Sequence, residues 1–162
     1  MNRINRKIEY ALMALKYMSQ KTPGELTTAK EVSETFHTPF DATARVMQMM
    51  AQKAWLKSEQ GASGGYQLMK DLSKLNMQNL IEVIEGKTAV ARCLHQQNDK
   101  PVACEIQNTC NIISPVGVIN IKLAEFYETL NLKDLLVEGS TVKTPRKKPT
   151  EASSQAIEVN LG

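Results

Sequence analysis

Cys93, Cys104 and Cys110 are the chain's only cysteines, and they stand at C-x10-C-x5-C. An odd number of thiols cannot all pair within the chain, so a reducing compartment, with thiols kept for chemistry, is expected. No pair has the C-x2-C spacing of a zinc ribbon or a thioredoxin-like site, and no catalytic base stands out beside any of them. Three thiolates carried by one loop can converge on an iron–sulfur cluster, of 2Fe–2S or 4Fe–4S type, which normally takes four ligands. Candidates for the fourth are His95, Asp99 and Glu105 in the same loop and, across a dimer, Glu9 in the first helix. Three other uses stay open: a metal-free thiol–disulfide switch, zinc, or small buried hydrophobes. An enzyme is disfavoured, because it needs an enclosed pocket with a positioned base and the chain has only two histidines, His37 and His95.

The elements around these cysteines define what could position them. Residues 76–85 carry Met77, Leu80, Ile81 and Ile84 on one stripe, with Gly86 as a stop signal, which predicts a helix. From 87 to 114 the periodicity is lost, and so long an irregular stretch in a compact protein is expected to be functional or disordered. Ser114-Pro115 then opens a long helix in which Val116, Ile119, Leu123, Phe126 and Leu130 form a heptad-like seam. A homodimer seam is expected; the alternative is packing against the chain's own domain. Leu132, Leu135, Leu136 and Val137 suggest one more short helix, and residues 139–162 are polar and basic enough to predict a disordered tail.

Upstream, Ile8, Leu12, Leu15 and Met18 fall at helical spacing over residues 5–19, and Thr22-Pro23-Gly24 ends that helix. Thr28 followed three residues later by Glu31 is a capping-box signature for a second helix, with Ala29, Val32 and Phe36 on its apolar side. After His37, Thr38-Pro39 starts a third. Along it Ala42, Val46, Met49 and Met50 share one face, and Asp41, Ala44, Arg45 and Gln48 share the opposite one. Two short helices joined by a tight turn, the second with a short polar outer face, describe a helix-turn-helix whose second helix enters a major groove. Trp55–Ser58, a glycine-rich turn over 60–65 and Tyr66–Met69 then predict a two-stranded wing, whose tip amides can reach phosphate oxygens.

The charge distribution agrees in sign. Residues 1–70 hold ten Lys/Arg and six Asp/Glu, whereas 71–138 hold six and nine. The basic balance sits at the front, a small difference that fits a nucleic-acid-facing half. No apolar run approaches membrane-spanning length and no signal peptide is visible, so a cytoplasmic protein with no membrane partner is expected. The predicted fold class is mainly α, a winged helix-turn-helix plus a long C-terminal dimerisation helix. Its expected divisions are a DNA-binding domain at 1–86, a cysteine loop at 87–114, a dimerisation helix and short following helix at 115–138, and the tail at 139–162.

Taken in order, Arg3-Ile4 with Tyr10-Ala11-Leu12, the helix-turn-helix ending in Trp55-Leu56, the wing ending in Gly64-Gly65-Tyr66, the LIEVIEG segment, and Arg92-Cys93 followed by two more cysteines and a long helix resemble the IscR/NsrR-type family of winged helix-turn-helix iron–sulfur transcription regulators. The resemblance covers residues 2–138. It implies a homodimer with crossed long helices on a double-stranded DNA operator, with a cluster near the partner's helix-turn-helix. Thr38, Asp41, Thr43, Ala44, Arg45 and Gln48 would face DNA, with Gln60, Ser63 and Gly64 at the wing. The wing departs from the family's pattern in having Gln60 for its usual Arg and Ala62-Ser63 for Pro-Gly, and Ile113 stands where one branch has a ligand histidine. In the nitric-oxide-sensing branch a carboxylate from the other subunit completes the site, and Glu9 falls at that place. The implied ligand set is therefore Cys93, Cys104 and Cys110 from one subunit with Glu9 from the other, in a regulator, in all expectation a repressor, sensing redox state, nitric oxide or iron–sulfur status.

Overall fold

The computed structural model describes residues 4–137 apart from 62, 88, 95, 98, 99, 102 and 103. The expected tail at 139–162, the candidate ligands His95 and Asp99, and Ala62 of the wing lie outside the described residues.

Helix α1 (Arg6–Ser19) starts where the Asn5 side chain accepts from the Lys7 amide, and it buries Ile8, Ala11, Ala14, Leu15 and Met18. Helix α2 (Ala29–Phe36) has the full capping box: Thr28 accepts from the Glu31 amide and Glu31 accepts from the Thr28 amide. It ends at His37, whose φ of 51° turns the chain sharply. Helix α3 (Phe40–Gln52) begins one residue later than expected, because Pro39 is extended at ψ 125° and serves as the flanking cap residue. Strands β1 (Leu56–Glu59) and β2 (Gly65–Leu68) pair antiparallel, with Leu56 opposite Leu68 and Glu59 opposite Gly65. Both run one residue off the expected bounds. Trp55 is taken up instead in closing α3, its amide donating to the Met50 carbonyl, while its own carbonyl receives the Met69 amide.

After a short turn at Leu72–Lys74, α4 (Met77–Glu85) opens with reciprocal bonds between Asn76 and Asn79 and stops at Gly86, with φ 79°. The stretch expected to be irregular holds turns at Arg92–Leu94 and Gln107–Thr109 and a small antiparallel pair, β3 (Gln96–Gln97) with β4 (Lys100–Pro101). Helix α5 (Ile113–Thr129) and the short α6 (Leu132–Leu136) follow.

The core centres on Leu15, Val46, Met47, Met50 and Leu80, and it reaches past α4 to Leu132 and Leu136 of α6. Hydrogen bonds fasten α6 in place: the Met77 amide donates to the Leu130 carbonyl, the Leu132 amide to the Leu75 carbonyl, and the Asn131 side chain to the Ser73 carbonyl. Helix α5 is different. It is apolar along its length yet contains no fully buried residue. Val116, Leu123 and Tyr127 are partly covered, whereas Ile119 and Phe126 are more than half exposed. The seam read from sequence thus divides between a row covered by the chain itself and a row left open.

Candidate nucleic-acid interface and cysteine segment

Helix α3 buries Thr43, Val46, Met47 and Met50 and turns Asp41, Arg45 and Gln48 to solvent. One of the expected DNA-facing residues needs correcting. Thr43 is wholly buried, its hydroxyl donating back to the Pro39 carbonyl at 3.0 Å and lying 2.7 Å from the Thr38 hydroxyl. Ala44 is half-buried and packs against the core. The inward face is rotated toward Thr43 and Met47, leaving Ala42 and Met49 at its margin, because a threonine can enter a core once its hydroxyl is bonded to the preceding turn. Thr38 is half-buried and spends its hydroxyl on Thr43. The pair fixes the start of α3, whose first turn has no side-chain cap.

The preceding turn is held from behind. Tyr17 of α1 and Lys21 in the following loop both bond Glu31 of α2, the Lys21 ammonium also donates to the Leu26 carbonyl, and the rings of Tyr17 and Phe36 meet edge to face at 5.7 Å. Burial alone pushes the Glu31 carboxyl up, but bonds from Lys21, Tyr17 and the Thr28 amide outweigh it and hold the group below the usual carboxylate range. Burial likewise pulls the Lys21 ammonium down, and the Glu31 and Glu25 bonds more than restore it, leaving it raised.

The wing is tied to the same body. The amide and carbonyl of Thr27 exchange bonds of 2.9 and 2.8 Å with those of Tyr66, so the segment leading into α2 lies along the free edge of β2. Gln60 and Ser63 are exposed and Gly64 is half-buried. A Cβ on Gly64 would meet the Glu59 carbonyl oxygen at 2.5 Å, and one on Gly65 the Thr27 oxygen at 3.0 Å, which explains the paired glycines. What this end of the molecule presents is α3's polar face and a hairpin whose β2 strand is tied to the segment leading into α2.

All three cysteines are half-buried free thiols. Their donor type suits an iron–sulfur cluster, but among the described residues no group of three or more His, Cys, Asp or Glu side chains is gathered tightly enough to hold a metal ion. Glu105 is exposed. Glu9 is half-buried in α1 and accepts a 2.9 Å ion pair from Arg6. The described residues of a single chain thus supply donors of a suitable type without gathering them.

A helix-turn-helix fixed from behind and followed by a wing tied to it defines a winged-helix DNA-binding protein. The sequence profile of the Rrf2 family, that of an iron-dependent transcriptional regulator, matches residues 4–138, and the chain belongs to that family. Among curated relatives, the HTH-type transcriptional regulator NsrR of Bacillus subtilis is 20% identical over 128 residues, 79% of this chain and 86% of that protein. Among solved structures, CymR, the global cysteine regulator of B. subtilis, aligns with a TM-score of 0.62 at 19% identity, covering 86% of this chain and 99% of that one. IscR of T. potens aligns at 0.60 with 15% identity, covering 90% and 94%. These likenesses place the fold among winged-helix regulators. No described helix is long and apolar enough to cross a membrane.

Proposed function

We propose that the protein is a cytoplasmic homodimeric repressor that binds an operator through α3 and the wing and senses redox state, nitric oxide or iron–sulfur status through a cluster held by Cys93, Cys104 and Cys110 with Glu9 of the partner subunit. The observation that carries the DNA-binding part is α3 itself, with Asp41, Arg45 and Gln48 on an open face opposite a fully buried one. Arg45 is the preferred base or phosphate contact there. The cluster reading rests on three free thiols in one segment and on the iron dependence of the family. A bound cluster supplies a centre that oxidants or nitric oxide can disturb. Glu9 contributes a carboxylate oxygen, a more exchangeable ligand on iron than thiolate, which suits a sensor.

A metal-free thiol switch is the second reading. What favours it is that the described residues of one chain gather no metal-binding group while leaving all three thiols free.

Native mass spectrometry with an absorption spectrum, on wild type and Glu9→Ala purified without oxygen, separates the two. A coloured dimer carrying cluster mass in wild type, with altered retention in Glu9→Ala, supports the cluster and its ligand set. A colourless dimer free of iron and sulfide after reconstitution leaves DNA binding standing and turns the segment into a thiol switch.

A further inference from the structure

The first residue of α3 is a phenylalanine, and it is 54% exposed. Most large apolar side chains in this half of the chain are taken up by the core; Phe40 is left out at the leading end of the helix that the DNA-binding reading places in the major groove. Residues at that end of such a helix are the ones that meet base edges. Phe40 is also presented rigidly. Pro39 before it is extended at φ −60°, the Thr43 hydroxyl and amide both bond the Pro39 carbonyl, and the Thr38 hydroxyl closes on Thr43. An exposed ring on so fixed a turn costs solvation in the free protein and is compensated when something apolar covers it.

In a major groove the apolar feature on a base edge is the thymine C5 methyl, every other recognition group there being a hydrogen-bond donor or acceptor. A benzyl side chain has no hydrogen bond to give and matches only that methyl. We propose that Phe40 is a specificity-determining residue that covers a thymine C5 methyl at the edge of the sequence read by Arg45 and Gln48. This rests on the reading of α3 as the groove-entering helix. It adds a hydrophobic preference for thymine to a face otherwise polar.

The test uses the full-length protein and duplexes selected by it from a random-sequence DNA pool. Each thymine of an enriched duplex is replaced in turn by deoxyuridine, which removes only the C5 methyl, and binding is followed by fluorescence anisotropy for wild type, Phe40→Ala, Phe40→Leu and Arg45→Ala. At one thymine or more, wild type is expected to lose about fourfold in affinity, the worth of covering one methyl-sized group. Phe40→Leu keeps most of that discrimination and Phe40→Ala loses it, binding thymine and uracil alike. A wild type indifferent to every replacement, or a Phe40→Ala variant that keeps the penalty at the same thymine, overturns the inference while Arg45→Ala still weakens binding. If Arg45→Ala binds the selected duplex as tightly as wild type, the reading of α3 fails and the inference with it.

Discussion

Tyr17 donates its phenolic hydrogen to Glu31 Oε1 over 2.7 Å, and Lys21 Nζ meets the same oxygen at 2.7 Å. One carboxylate therefore joins α1, the loop after it and the cap of α2. Glu31 has a folded-state pKa below its unfolded one, so its contribution is fully present above the ordinary glutamate range, near ~4.3, and is lost as pH falls through the lowered value. Glu31→Gln keeps the shape and removes the charge. At neutral pH it is expected to lose about 1 kcal/mol in urea unfolding, and the gap from wild type closes as the medium is acidified below pH ~4. A gap that persists at low pH would show that charge is not what Glu31 supplies.

Thr43 is expected to affect DNA binding without reaching DNA. Thr43→Val preserves its shape but strands the Thr38 hydroxyl and leaves the Pro39 carbonyl with the residue-43 amide alone, at about 1–2 kcal/mol of stability. Affinity for a selected duplex falls as the start of α3 loosens, while Thr43→Ser, with its hydroxyl intact, holds most of that affinity. Equal affinity for all three proteins would mean that the hydroxyl pair does not position the helix.

At the wing, Gly64→Ala is expected to cost about 1–3 kcal/mol, since the added methyl runs into backbone oxygens of Glu59 and Gly61 that cannot yield without moving the hairpin. Far-UV circular dichroism should keep its helical signal while operator affinity drops. Gly61→Ala differs in cause: nothing lies within 4 Å of its would-be Cβ, but its φ of 119° disfavours any side chain.

On α5, Ile119→Glu or Phe126→Glu places a charge on a surface that is open in the single chain. Folding stability should change by about 0.5 kcal/mol or less, whereas sedimentation velocity should show the dimer lost. A dimer that survives both substitutions would exclude this row as the subunit contact.

Much of this fold was legible in the sequence because local chemistry agreed with tertiary demand. The capping pair Thr28 and Glu31, the stop at Gly86 and the periodicity of α1 and α4 each fixed an element before any packing was known. The facing of α3 was not, because helical periodicity treats threonine as polar. Thr43 is buried by a hydroxyl that satisfies itself within one turn, and Met47 joins it on that side. The seam of α5 was only half legible, since spacing alone does not tell a row covered by α4 from one left open. Phe40 was passed over because an aromatic residue at a helix start is ordinarily counted toward the core. The cysteines announced their donor type, while the convergence of such a site depends on segments distant in sequence or in another chain.

Residues 75–77 and 130–132 lie clasped together by backbone bonds, so the stretch between them, α4 through α5, starts and finishes at the same place. It is a cassette with both ends anchored in one place. Nicking it within the cysteine segment would leave two fragments held in one folded particle, the smaller still contributing Leu132 and Leu136 to the shared core. Changes of length or of donor type in the cysteine segment are therefore expected to leave the helix-turn-helix and wing intact, with strain felt first at the clasp between residues 75–77 and 130–132.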